Sequence, residues 1–250
     1  MDEHRVDASP RALSRIGGAL YVIIIALGTF EEVGIRGRIV VSGNAAATAA
    51  NLRSMESLWR FGIAAEFVVL VCSIALALIF YMLLRPVSTE LAGLAVFFNL
   101  VSLTVEAVAA TYLGQALFPL GAARYLSAFP PEQRYAMASL AIRTHSYGFG
   151  VALIFFGCAC LVLGYLIRRS GYLPNVVGVL MQVAGACYLV ESFATLLAPP
   201  VAGRLLPWIL VPSFLGESSL ALWLLVKGVN VERWAARAVA RPARLAATAV

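Results

Sequence analysis

The chain has 250 residues, 61% of them hydrophobic and only 13% charged, with a net charge of +6 and a mean hydropathy of +0.87. A soluble domain of this length carries roughly 25% charged residues to wet its surface, so a water-soluble globule, a disordered chain, a disulfide scaffold and a coiled coil are all excluded. Lys227 is the sole lysine, and the arginines stand singly between apolar runs, which is not the clustered, aromatic-interleaved pattern of a nucleic-acid surface.

Six stretches reach the roughly 20 apolar residues needed to cross a bilayer: Ile16–Val33, Phe61–Leu84, Ser88–Phe118, Ser146–Ile167, Pro174–Leu197 and Leu205–Lys227. All six are expected to be helices, because lipid offers backbone amides no partner outside their own segment. The fold class is therefore all-α, a polytopic transmembrane bundle of six helices with two longer, partly helical loops on one side. Residues 1–15 are expected to form a cytoplasmic N-terminal tail, 16–228 the six-span domain, and 229–250 a basic amphipathic tail on anionic lipid. The first apolar run is followed directly by Glu31 and Glu32 rather than by small residues, so it reads as a retained span and not as a cleaved signal.

In chain order, Asn44 is placed to cap a helix over Ala45–Trp59, with Leu52, Met55, Leu58 and Trp59 on one side. Pro130-Pro131-Glu132-Gln133 suits a first helical turn running through Tyr135 into the fourth span. Gly150, Gly157 and Gly164, then Gly171, Gly178 and Gly185, recur every seven residues. That period keeps small residues on one face and predicts a close antiparallel hairpin of spans four and five, with Gly171 ending one helix and Pro174 beginning the next. In the sixth span Pro212 removes a helix hydrogen bond and is expected to free the Trp208 carbonyl. The four cysteines all lie in apolar runs and form no Cys-x-x-Cys pair, so they read as small apolar side chains. With both termini cytoplasmic, the inner segments hold eleven basic residues and the outer segments eight. This bias places the termini inside.

The residues that invite a functional reading are the ionisable ones inside the spans, each costing about 2.5–3.5 kcal/mol at a helix centre. At about 1.5 Å per residue, Glu66 lies about 8 Å and Glu191 about 9 Å below the long-loop face, with Glu106 and Glu217 about 18 Å deep. Glu31, Glu32 and His145 stand at the boundary. All belong to the half facing the long loops. Asn99, Ser102 and Glu106 share one face of span three, Ser213 and Glu217 one face of span six, and Tyr188 lies one turn from Glu191. Arg36, Arg38, Arg60 and Arg143 stand at the same end. Two readings remain open. The groups either line an acidic cavity open to the long-loop side, which holds a ligand or proton, or tie the helices together as internal pairs. The candidate site is Glu31, Glu32, Arg36, Arg60, Glu66, Asn99, Glu106, His145, Tyr188, Glu191 and Glu217, with proton coupling through Glu106 or Glu217 as a variant. No catalytic residue is assigned. His4 and His145 are the only histidines, too few for a multi-histidine metal site; a metal held by glutamates and His145 is the weakest alternative. The nucleophile-elbow and phosphate-loop motifs are absent, and no cofactor is expected.

Three stretches carry a resemblance. The first is Glu31-Glu32 with Arg36, leading through Gly43–Asn51 to Arg60-Phe61-Gly62. The second runs Gly164–Ile167, Ser170–Pro174, Gly178–Leu180 and Tyr188–Phe193. The third is Gly216–Gly228. Over about residues 11–232 the chain resembles the bacterial integral-membrane family called domain of unknown function 4386. The resemblance implies a six-span inner-membrane protein and brings no mechanism. Glu32, Arg36, Arg60, His145, Glu191 and Glu217 match positions of the family's polar residues, with glutamate at 191 where aspartate is common. Small-solute transport or ligand binding through an outward-facing acidic cavity is the leading expectation. A non-catalytic accessory or envelope-stress component is the second. The third is a membrane-embedded enzyme acting on lipid head groups, with Arg36 and Arg60 gripping phosphate. The expected partners are the bilayer, a small-molecule ligand and a second copy of the chain.

Overall fold

The computed structural model describes residues 9–248, with side chains up to position 240. Residues 1–8 of the expected N-terminal tail and the last two of the C-terminal tail lie outside the described residues, as do the side chains of Arg241 and Arg244. The described residues are helical, without a strand: α1 Pro10–Ile39, α2 Ala45–Ser54, α3 Glu56–Leu84, α4 Thr89–Gln115, α5 Pro131–Ser170, α6 Asn175–Leu197, α7 Pro199–Leu205, α8 Leu210–Val226 and α9 Val231–Thr248. Five helices are long and apolar enough to cross a membrane, and α7 with α8, bent by 56° at their junction, make a sixth span if taken as one. The all-helical, membrane-spanning class expected from composition is what the chain adopts.

Three local expectations change. The helix after Asn44 stops at Ser54 and restarts at Glu56 as the second span. The Asn44 cap itself is present, its Oδ1 accepting from the Ala47 amide at 2.9 Å. The sixth span breaks ahead of Leu210, so Pro212 falls in the first turn of α8, where no hydrogen bond to the preceding turn is required. The Trp208 carbonyl is consequently not free but accepts from the Val211 amide at 3.2 Å. In α1, residues Phe30–Arg36 form a π-helical segment. Such segments are rare and concentrate at functional sites.

The chain divides into two compact units. One comprises the described residues up to Val22, Ile74–Leu100 and the chain from Ile154 onward. Here the glycine period does its packing. A Cβ on Gly157 would lie 2.9 Å from the Gly185 carbonyl oxygen, and one on Gly178 would lie 2.7 Å from that of Gly164, so α5 and α6 approach backbone to backbone. Gly171, at φ +75°, ends α5 in the left-handed conformation that glycine adopts without strain. Gly216 lets α8 close on α6, with a Cβ there meeting the Leu180 carbonyl oxygen at 2.7 Å. The end of α3 is held by its Leu83 carbonyl, which accepts from the Tyr172 hydroxyl at 2.7 Å and the Trp234 indole at 2.9 Å. Tyr172 lies between α5 and α6, and burial pushes its phenol above the ordinary value, which keeps the hydroxyl a donor. Trp234 thereby ties α9 to the short-loop end of this unit.

The other unit comprises Ile23–Ser73 and Val101–Leu153. Its core gathers Ile35, Ile39, Leu52, Trp59, Leu113, Ala116, Ala138 and Ile142, with Met55 and Leu58 packed against it. The apolar side read from the α2 region is therefore buried. The Trp59 indole donates to the Leu113 carbonyl at 2.9 Å, so α3 and α4 are fixed at that level. Gly150 has no atom within 4 Å of where a Cβ would stand. It takes no part in the close contact expected of it, and the effective period starts at Gly157.

Candidate functional site

Within the second unit, α1, α3 and α5 bring Glu31, Arg36, Glu66 and His145 together. The Arg36 guanidinium donates from Nε to Glu32 at 2.8 Å and from Nη1 to Glu66 at 3.3 Å. The His145 Nε2 lies 3.4 Å from Arg36 Nη1 and 4.0 Å from Glu66 Oε1. The Glu31 and Glu66 carboxyl groups are within hydrogen-bonding reach of each other, and two carboxyl groups can share such a bond only with a proton between them. Glu106 lies within electrostatic reach of Glu31. Gly62 makes the space: a Cβ there would stand 3.1 Å from Ile35 and 3.5 Å from Glu31 Oε1. Exposure falls along the cluster, from 70% for the Glu32 side chain to 16% for Arg36 and 4% for Glu66. The group is a graded polar path rather than an isolated buried pair.

His145 is 3% exposed and stacks near Phe149. Its Nε2 faces both a donor and an acceptor: it accepts from Arg36 in one tautomer and donates toward Glu66 in the other. Among the described residues the ring's Nδ1 has no hydrogen-bond partner. It is a buried polar nitrogen, and such groups are rarely left unmatched.

A second arrangement lies in the first unit. The Glu217 carboxylate on α8 accepts from the Tyr21 hydroxyl at 2.9 Å through one oxygen and from the Tyr188 hydroxyl through the other. Tyr188 thus turns to Glu217 rather than to Glu191. Glu191 is held locally, accepting from Thr195 at 3.2 Å and Ser192 at 3.4 Å. Ser213 donates to the Ala184 carbonyl at 3.3 Å. Asn99 is buried, and its Oδ1 has no partner among the described residues; it borders a void of about 10 Å³ with Phe80, Tyr81 and Leu163.

Arg60 joins neither group. It pairs with Glu56 at 2.8 Å on an exposed face and borders a cavity of about 300 Å³ between the ends of α2, α3 and α4, which none of the buried carboxylates lines. Among the described residues no set of three or more His, Cys, Asp or Glu is arranged to hold a metal ion. Two features escaped the sequence reading. Tyr21 reads as part of an apolar run, and only its phenol in that setting hinted at a partner. The π-helical segment, which carries Glu31, Glu32 and Arg36, has no periodicity signal of its own.

An uncharacterized protein of Archaeoglobus fulgidus is 27% identical over 168 residues, covering 67% of this chain and 84% of its own length. No solved structure matches. The family described as Domain of unknown function (DUF4386) matches residues 16–228, from the start of the first span to the glycine that follows α8, and the chain belongs to that family.

Proposed function

We propose that the protein is a small-solute transport or ligand-binding protein of the cytoplasmic membrane, with both termini inside, whose site is the cluster of Glu31, Arg36, Glu66 and His145. The observation that carries this reading is the convergence of four ionisable side chains from three helices into one packed group, where each carries a cost that internal bracing alone does not require. Three further features support it. Glu31 and Glu66 stand within hydrogen-bonding reach of each other, the Nδ1 of His145 is buried without a partner among the described residues, and Glu32 links the group to the surface. Three carboxyl groups against one guanidinium favour a cationic solute or a proton as the species moved.

The test is proton uptake by proteoliposomes that enclose a pH-sensitive dye and are polarised with potassium and valinomycin. The unmodified protein is expected to acidify the lumen, and Glu31→Gln and Glu66→Gln each to slow it about tenfold, the effect of about 1.4 kcal/mol on the barrier. Both variants are to retain cooperative thermal unfolding. Equal rates in folded variants overturn the reading.

A further inference from the structure

The 300 Å³ cavity of the second unit lies away from the buried cluster's own residues and has a chemistry of its own. Arg53 reaches it from the last turn of α2, Glu56 and Arg60 from the first turns of α3, and Phe118 and Tyr125 from the segment after α4. These are the long-loop ends of two membrane-spanning helices, the level at which phospholipid headgroups sit. The walls are built rather than loose. Trp59 pins α3 to the Leu113 carbonyl at 2.9 Å, and Arg134 donates to the Gly121 carbonyl at 2.7 Å and also to that of Pro119, clamping the segment that forms the rim.

The charges are arranged as a dipole. Arg60 is engaged by Glu56 at 2.8 Å through Nε. The Arg53 guanidinium rests over the Tyr135 ring at 5.6 Å and has no carboxylate partner among the described residues. Two guanidinium groups facing one space form a phosphate grip, because each offers a planar fork of donors. A third charge of opposite sign among them disfavours a doubly anionic guest and matches one that carries its own cation. Glu56 would accept from a primary ammonium, and the exposed Tyr125 ring gives that ammonium an aromatic face. The volume falls at the lower end of small-molecule sites, roughly 300–1,000 Å³, which is room for a headgroup but not for acyl chains. Those chains would leave over Phe118, which is 65% exposed.

We propose that this cavity binds the zwitterionic phosphoethanolamine headgroup of a membrane phospholipid, with phosphate on Arg53 and Arg60 and the ammonium on Glu56. The test is native mass spectrometry of the full chain exchanged into equimolar phosphatidylethanolamine, phosphatidylcholine and phosphatidylglycerol. Phosphatidylethanolamine is expected to be retained about tenfold over either competitor, the discrimination that about 1.4 kcal/mol supplies. The double variant Arg53→Gln with Arg60→Gln loses that retention, whereas Glu56→Gln keeps phosphate binding and shifts the preference toward phosphatidylglycerol. These residues are exposed, and an exposed ion pair contributes little to stability, so the variants fold; unchanged unfolding temperatures verify it. Equal retention of phosphatidylglycerol by the unmodified protein overturns the role of Glu56. Equal retention of phosphatidylcholine overturns the hydrogen-bonded ammonium. Competition by soluble glycerophosphoethanolamine at the same concentration as the lipid reassigns the cavity to a free phosphoester and overturns the lipid source.

Discussion

Arg36 is the residue on which the buried cluster depends, because it is the one fixed positive charge among Glu31, Glu32 and Glu66. Removing one partner of a buried ion pair leaves a charge uncompensated and costs about 3–5 kcal/mol. Arg36→Gln is therefore expected to lower the unfolding temperature sharply in detergent, and Glu66→Gln added to it to restore part of the loss. Additive effects in that double-mutant cycle would show that the 3.3 Å contact carries no coupling. At Glu217 the two tyrosines act separately, one on each oxygen. Tyr21→Phe and Tyr188→Phe should each destabilise by about 1–3 kcal/mol, the cost of leaving a buried acceptor unsatisfied, measured by chemical denaturation in mixed micelles. The identities of most of these residues were legible in the sequence, since glutamates within apolar runs announce themselves. Their partners were not. Tyr188 lies one turn from Glu191 on its own helix yet bonds Glu217 across to α8, because a helix face selects neighbours only after another helix has docked against it.

At the scale of elements, close packing of α5 on α6 rests on Gly157, Gly164, Gly178 and Gly185. A methyl group at Gly164 would stand 2.5 Å from the Gly178 carbonyl oxygen, and backbone cannot give way as a flexible side chain can. Gly164→Ala is expected to cost about 1–3 kcal/mol, the usual range for overpacking, while Gly150→Ala should leave the unfolding temperature unchanged within error. A loss of stability at Gly150 equal to that at Gly164 would refute this assignment. The seven-residue repeat is visible in the sequence, but which of its members face a helix is not, since a regular period continues past the end of the contact it serves. The same holds for the break ahead of α8. Two prolines, Pro207 and Pro212, stand near it, and the one that falls within the first turn of a helix leaves that helix intact.

For the whole molecule, the tested quantity is topology. With the termini inside, a fluorescent protein fused after residue 250 should be bright and alkaline phosphatase fused at Ala122 should be active; the reverse pattern would invert the orientation and turn the cluster's exposed end toward the cytoplasm. Composition and hydropathy alone determined that the chain is helical and membrane-spanning and roughly where each span lies, because lipid leaves the backbone a single way to satisfy its own hydrogen bonds. The Asn44 cap, the Gly171 stop and the apolar side of the α2 region were equally local and equally readable. The tertiary structure alone decided that Glu31, Arg36, Glu66 and His145 form one group and that Tyr21 and Tyr188 hold Glu217. It also decided that Arg60 borders a separate cavity. Those outcomes depend on which helix faces meet, and contacts between residues up to 196 positions apart have no signature in the spacing of either segment.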